Sequence, residues 1–258
     1  MIPQNLLTIY FWVRTTSTAT NYPALATNKN WNSGQIHNYT TSNSYGFSRS
    51  SGQACGWAIA LQPNGAWAWN LGDGKRRLDY QPTAARQAIN DGQWHLLAFS
   101  MDRTNQEARI YYDGQQVALY SLTELSSVDN MHLLSIEFPG EIKNFTAIDQ
   151  LLPDTEIARI YQQHNGLAPI SYPIHSPSSP LRVLAWNIWN GGREDGIDLG
   201  VQRVIECIQE SDADLVVMQE TYGSGPRIAD ALGYHLYLRS SNIAVISRYP
   251  ATASHDLF

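Results

Sequence analysis

Residues 96–114 decide the fold: Leu96-Leu97-Ala98-Phe99-Ser100-Met101-Asp102-Arg103-Thr104-Asn105-Gln106-Glu107-Ala108-Arg109-Ile110-Tyr111-Tyr112-Asp113-Gly114. Leu97, Phe99 and Met101 recur at every second position, the period of a pleated strand. Residues 103–106 form a polar turn, and Ile110 and Tyr112 share one face of the next strand. Asp113-Gly114 supplies the positive φ values of a tight hairpin before a third strand over residues 115–117. Working outward, residues 9–14 alternate aromatic groups with polar or small ones. Residues 155–163 carry Ile157, Ile160 and Tyr161 at helical spacing behind the start signal Pro153-Asp154. Many short strands closed by one short helix predict a two-sheet sandwich.

Near residue 172 the pattern changes. Residues 168–180 are rich in Pro and Ser, a composition that favours an extended spacer. Beyond it, residues 182–188 form an apolar strand, and Val201, Val204, Ile205 and Ile208 define the inner face of a helix over residues 199–210. Residues 215–218 are a buried strand. Strand, helix, strand is a crossover that makes the two strands parallel. Pro226 opens a second helix, Gly233 is placed to end it, and residues 234–238 and 243–247 read as further strands. The domain boundaries are therefore 1–167, a linker at 168–180, and 181–258. A formal net charge of −6 gives no electrostatic help in binding phosphates, so a phosphate-handling site here needs a metal cation. It also leaves nucleic acid as a partner that the charge does not indicate. Cys55 and Cys207 fall in different domains and lack metal-ligand spacing, so no disulfide between them is expected. No stretch is long and apolar enough to span a membrane.

The run Asn90-Asp91-Gly92-Gln93-Trp94-His95, followed by Tyr111-Tyr112-Asp113-Gly114 and the closing Leu151-Leu152-Pro153-Asp154-Thr155-Glu156, resembles the laminin-G/concanavalin-like jelly roll over residues 5–166. The resemblance implies an all-β sandwich that recognises a glycan or other surface ligand. Trp31, Trp57, Trp67 and Trp69 offer a sugar-stacking platform, but aromatics in such a sandwich belong first to its core. Some relatives bind Ca²⁺ at loop carboxylates. Asp73 and Asp102 are the candidates, though without a carboxylate cluster each reads as a turn residue. His95 reads as a satisfied structural histidine. The family places further strands before residue 9, so the N-terminal strand and an export signal are expected upstream. The implied location is extracellular or periplasmic.

Three further segments carry chemistry: residues 181–192 with Ala185-Trp186-Asn187-Ile188-Trp189-Asn190-Gly191-Gly192, residues 212–220 ending in Met218-Gln219-Glu220, and residues 241–250 with Ser247-Arg248-Tyr249-Pro250. In order, they resemble the N-terminal half of the endonuclease/exonuclease/phosphatase family, the DNase-I-like α/β fold of four layers, αββα. The resemblance implies a hydrolase of phosphate esters that uses Mg²⁺ or Mn²⁺, with Glu220 as principal metal ligand and Asn187 as its partner near metal and phosphate. Independently of the name, both residues lie at C-terminal ends of parallel strands, where α/β sites are built. A carboxylate and an amide oxygen are hard ligands of the kind Mg²⁺ takes. Arg248 is expected to be structural rather than a phosphate ligand, and Gly191-Gly192-Arg193 to shape access beside Asn187. The family's later motifs, which supply a histidine and paired Asp and Asn residues for activating water, do not occur. His235 and His255 sit in no such motif. The chain by itself is expected to be an inactive fragment. The family's substrates range over nucleic acids, sphingomyelin and inositol phosphates, so the phosphoester stays open. The alternative is a non-catalytic carbohydrate- or protein-binding sandwich on a degenerate scaffold.

Overall fold

The computed structural model describes residues 6–20, 22–29, 31, 55–126, 138–165, 180–240 and 242–252. In chain order the elements are β1 (Leu6–Arg14), β2 (Ala24–Thr27), β3 (Gly56–Leu61), β4 (Trp67–Gly72), β5 (Arg77–Tyr80), the single turn α1 (Ala84–Gln87), β6 (His95–Asp102), β7 (Glu107–Tyr112), β8 (Gln115–Ser121), β9 (Glu141–Ile148) and α2 (Asp154–Asn165). Then follow β10 (Val183–Asn187), α3 (Ile197–Ser211), β11 (Leu215–Gln219), α4 (Gly225–Leu232), β12 (His235–Ser240) and β13 (Ile243–Ser247). Two compact units result, one of residues 1–3, 13–94 and 123–143, the other of residues 4–12, 95–122 and 144–258.

The first unit holds a four-stranded antiparallel sheet in the order β2-β3-β4-β5. Its register puts Trp57 opposite Leu71, Ile59 opposite Trp69, Leu61 opposite Trp67, and Trp69 opposite Tyr80. That face is fully buried, so Trp57, Trp67 and Trp69 are core and form no sugar platform. Each buries on the order of 200 Å², roughly 5 kcal/mol of gross hydrophobic stabilisation before conformational entropy is counted. The indole N–H of Trp67 donates to Gln87 Oε1 at 3.0 Å, and Gln87 Nε2 donates to the Tyr80 hydroxyl at 2.7 Å. The other face is floored by small residues, and Tyr22 and Trp31 pack on Ala60 and Ala68. Lys29, also buried, donates from Nζ to Asn70 Oδ1; Asn70 Nδ2 donates to Asp79 Oδ1 at 2.7 Å, and Asp79 pairs with Arg77 at 2.9 Å. Desolvation pushes the Lys29 ammonium down to about 7, and the attraction of Asp79 only partly offsets it.

The second unit contains the meander that the opening stretch predicted. Asp113 and Gly114 sit at φ values of 49° and 82°, as a tight hairpin requires. The Asp113 carboxylate is consumed locally. Oδ1 accepts the Leu96 N–H at 2.8 Å, and Oδ2 lies 2.9 Å from His95 Nδ1, which also meets the Tyr112 hydroxyl at 2.9 Å. His95 is thus the buried, satisfied residue expected of it. The helix anticipated behind Pro153-Asp154 is α2, and Asp154 Oδ1 accepts the Tyr111 hydroxyl at 2.8 Å.

The C-terminal strands join the same sheet, whose order is β10-β11-β13-β12-β8-β7-β6-β1-β9. β12 pairs in parallel with β8, with Leu236, Tyr237 and Leu238 opposite Ala118, Leu119 and Tyr120. An edge strand presents unmet N–H and C=O groups, and another edge is their natural complement. Side chains fasten the seam. His235 Nδ1 lies 3.1 Å from Gln116 O, Arg239 Nη1 donates to Ser121 Oγ at 3.0 Å, and Arg109 Nη2 donates to Thr252 O at 2.8 Å. The expected linker, Pro180 apart, lies outside the described residues, and so does His255.

Strands β10 to β13 are two-faced. Val216, Met218, Leu236, Leu238, Ala244 and Ile246 share the buried face, against which α3 and α4 contribute Val201, Val204, Ile205, Ile208 and Ile228. The opposite face carries Val183 at 58% and Ile243 at 41% exposure. Among the described residues these strands form one sheet layer with two helices, and the second sheet of a four-layer αββα arrangement is not among them.

Candidate functional site

β10 and β11 run parallel in a register that sets Asn187 opposite Gln219, so Glu220 follows at the end of the neighbouring strand. The ladder continues one step, with the Ile188 N–H donating to Gln219 O at 3.2 Å. Past it, residues 189–192 form a distorted helical turn in which Asn190 and Gly191 take left-handed dihedrals. The loop after β11 is tied to this turn. The Gly191 N–H donates to Glu220 O at 2.7 Å, and Ser224 Oγ donates to Gly191 O at 2.7 Å. A Cβ on Gly191 would lie 2.8 Å from Thr221 O, which is why glycine stands there. Across the crossover, a Cβ on Gly200 would come within 2.0 Å of Gly192 O, so the start of α3 can abut the turn only as glycine. Arg193 bridges both loops, its Nε donating to Asn190 O at 2.9 Å and its Nη2 to Tyr222 O at 3.5 Å.

The two residues singled out in the sequence meet directly. Asn187 Nδ2 donates to Glu220 Oε1 at 3.0 Å, and the Asn190 N–H donates to Glu220 Oε2 at 3.2 Å. Asn187 Oδ1 in turn accepts the Trp189 N–H at 2.9 Å, which fixes the amide's orientation. The Asn187 amide, and after it the Asn190 N–H, hold the Glu220 carboxyl below the ordinary glutamate range, against a smaller opposing effect of desolvation. Among the described residues no cationic side chain pairs with the Glu220 carboxylate; the Arg193 guanidinium is held on the neighbouring loop carbonyls instead. Among the described residues no three or more His, Cys, Asp and Glu side chains cluster as a metal cage. One uncompensated carboxylate with an amide beside it nevertheless fits Mg²⁺ or Mn²⁺, which are held by one or two carboxylates and complete their shells with water or phosphate oxygen.

The remaining candidates fall elsewhere. Arg248 lies at the opposite end of β11. Its Nη2 donates to Asp212 Oδ1 at 2.6 Å, Nη1 to Asp214 Oδ1 at 3.1 Å, and Nε to the Tyr234 hydroxyl at 2.9 Å. It is a structural clasp, as its sequence context suggested. Asp73 Oδ1 accepts the N–H groups of Lys75 and Arg76 at 2.8 and 2.6 Å, and Asp102 Oδ1 those of Thr104 and Asn105 at 2.8 and 3.0 Å. Both organise turns. Sequence reasoning passed over Trp189 and Tyr222, each two positions beyond a site residue, at 61% and 37% exposure. Both have positive φ, 53° and 40°, which nothing in an aromatic side chain foretells.

The sequence model of the concanavalin A-like lectin/glucanases superfamily matches residues 1–158, and that of the endonuclease/exonuclease/phosphatase family matches residues 184–258. No curated protein matches the chain. Among solved structures, the binding domain of Paraclostridial Mosquitocidal Protein 1 is similar over 62% of this chain and 37% of its own, at 17% identity and a TM-score of 0.44. The binding domain of Botulinum neurotoxin serotype G is similar over 62% and 36%, at 18% identity and a TM-score of 0.42. The CBM40 of the Ruminococcus gnavus IT-sialidase, bound to α2,3-sialyllactose, is similar over 61% and 82%, at 16% identity and a TM-score of 0.41. The chain thus spans 37% and 36% of the length of the first two.

Proposed function

Because the chain belongs to the concanavalin A-like lectin/glucanases superfamily, we propose that it joins a recognition sandwich to a phosphoesterase-type segment, and that this segment takes a divalent cation at Glu220. The observation that carries the reading is the 3.0 Å contact between Asn187 and Glu220 at the ends of two parallel strands, the place where α/β folds assemble their sites. Glu220 would hold Mg²⁺ or Mn²⁺, and Asn187 would orient the carboxylate and stand beside the phosphate. When bound, such a cation supplies Lewis-acid stabilisation of charge on a phosphoryl oxygen. The chain's own residues do the rest. Asn187 and the Asn190 N–H keep Glu220 ionised, and the Gly191 N–H on Glu220 O fixes the loop that presents it.

The half-exposed apolar face that bears Val183 and Ile243 is where a four-layer αββα fold would seat its second sheet. The sandwich would bring the segment to a glycan or other surface ligand outside the cell. Among the described residues no helix is long and apolar enough to cross a membrane.

The test is direct metal binding. Mn²⁺ titrated into the whole chain and followed by electron paramagnetic resonance should bind. Glu220→Ala should weaken binding by at least ~100-fold, the upper end of what losing even a supporting partner does. Asn187→Ala should weaken it by about 10-fold. Because the Glu220 carboxyl sits below its ordinary range, Mn²⁺ should be released only as pH falls beneath that range. Equal Mn²⁺ affinity in native chain and Glu220→Ala would dismiss the reading.

A further inference from the structure

Arg193 is the one side chain that touches the backbone of both loops at the site without reaching the Glu220 carboxylate. Its Nε donates to Asn190 O at 2.9 Å, and its Nη2 reaches Tyr222 O at 3.5 Å, two residues past Glu220. The turn makes room for it. Gly191 is buried, and a Cβ there would stand 2.8 Å from Arg193 Nε, so glycine leaves space for the guanidinium as well as for Thr221 O. The base of the side chain is also fixed, because Arg193 O accepts the Gly196 N–H at 2.9 Å.

The residue so held is the one whose N–H donates to Glu220 Oε2 at 3.2 Å. The Glu220 carboxylate thus has two donors with separate supports. Asn187 Nδ2 is oriented by the Trp189 N–H on its own amide oxygen, and the Asn190 N–H by Arg193 on the Asn190 carbonyl. Asn190 needs that support, since its φ of 46° lies in a region that asparagine tolerates but does not prefer. Relaxation to a right-handed φ would turn its N–H away from Glu220.

We infer that Arg193 is a positioning residue of the Glu220 site: by bridging the Asn190 and Tyr222 carbonyls it aims the Asn190 N–H at the carboxylate and sets the spacing of the two loops. As a role in cation binding, this rests on the Glu220 reading. A planar guanidinium presents several donors in a fixed fork, which suits two carbonyls, whereas an ammonium is a point charge. Losing a supporting partner of this kind should weaken metal binding by about 10-fold.

The experiment pairs Mn²⁺ titration, followed by electron paramagnetic resonance, with amide signals of the ¹⁵N-labelled, metal-free whole chain. Arg193→Ala should bind Mn²⁺ about 10-fold more weakly. Without metal, its Asn190 amide proton should move upfield as the hydrogen bond to the carboxylate is lost, while the Leu96 amide in the distant hairpin stays in place. Millimolar methylguanidinium should restore both the signal and the affinity, and methylammonium neither. Arg193→Lys should stay about 10-fold weak, because it lacks the fork. An unmoved Asn190 signal with unchanged Mn²⁺ affinity in Arg193→Ala would overturn the inference. Full restoration by lysine or methylammonium would overturn it as well, since charge alone would then suffice. So would displacement of the Leu96 signal together with that of Asn190, which would assign Arg193 to the fold at large. The expected Asn190 shift in a chain whose native form binds no Mn²⁺ would dismiss the Glu220 metal reading alone, and the positioning of the carboxylate would stand without it.

Discussion

The Asp113-Gly114 hairpin and the paired loops at Trp189 and Glu220 bend the backbone through the same left-handed region with opposite materials. The hairpin uses glycine and a short polar residue, and its buried carboxylate satisfies the Leu96 N–H and the His95 ring. The loops use Trp, Asn, Glu and Tyr, and they leave two aromatic rings and a carboxylate facing water. What destabilises the four-stranded unit lies inside it, where Lys29 is buried and answered by Asn70. What strains the two loops lies at their surface, in residues whose side chains face water. The contrast is between a carboxylate consumed within the fold and side chains left facing water.

The largest effect that can break this contrast is a response to pH. Lys29 titrates at about 7 in the folded chain against 10.5 ordinarily. Between those values the unfolded chain holds more protons, so the native state should gain stability as pH rises. Relative to Lys29→Met, the native chain should gain on the order of 3 kcal/mol between about pH 7 and about pH 9.5. Parallel urea unfolding curves at both pH values measure it, and equal gains would show that Lys29 is not desolvated. Next in size, Asp113→Ala should cost about 2–3 kcal/mol by stranding the Leu96 N–H and His95, with a melting temperature lower by roughly 5–10 °C. Its Mn²⁺ affinity should match the native chain. Smallest, Tyr222→Gly should stabilise the chain by about 1 kcal/mol, because glycine adopts its φ of 40° without strain. Calorimetry showing a lower melting temperature would mean that the ring contributes packing, and the contrast between the two regions would fail.

The difference between these regions also explains what the sequence disclosed. The β6-β7-β8 meander was legible because Leu97, Phe99 and Met101 alternate and Asp113-Gly114 allows essentially one turn. The placement of Asn187 and Glu220 at neighbouring strand ends was legible because strand, helix and strand leave little choice about where those ends lie. Strands β3 and β4 were not, since every residue in both is buried and Ala58-Ile59-Ala60 or Ala68-Trp69-Asn70 shows no polar face. Neither was the β8–β12 seam, whose His235–Gln116 contact joins residues 119 positions apart. Local patterning carries no information about a partner so distant. The left-handed Trp189 and Tyr222 are set by the hydrogen bonds that tie the loops together, and aromatic residues give no signal for them.

That seam has a mechanical consequence. Strands β8 and β12 lie side by side and parallel, so a pull directed along them would slide one past the other. In that geometry the backbone hydrogen bonds and the Arg239–Ser121 clasp bear the load together, whereas a pull across the strands would open them one at a time. If the sandwich were held at a surface while flow dragged on the remainder, tension along the strands would reach β12 through this shear-loaded junction. The junction would resist such a pull more strongly than its few hydrogen bonds suggest when counted singly.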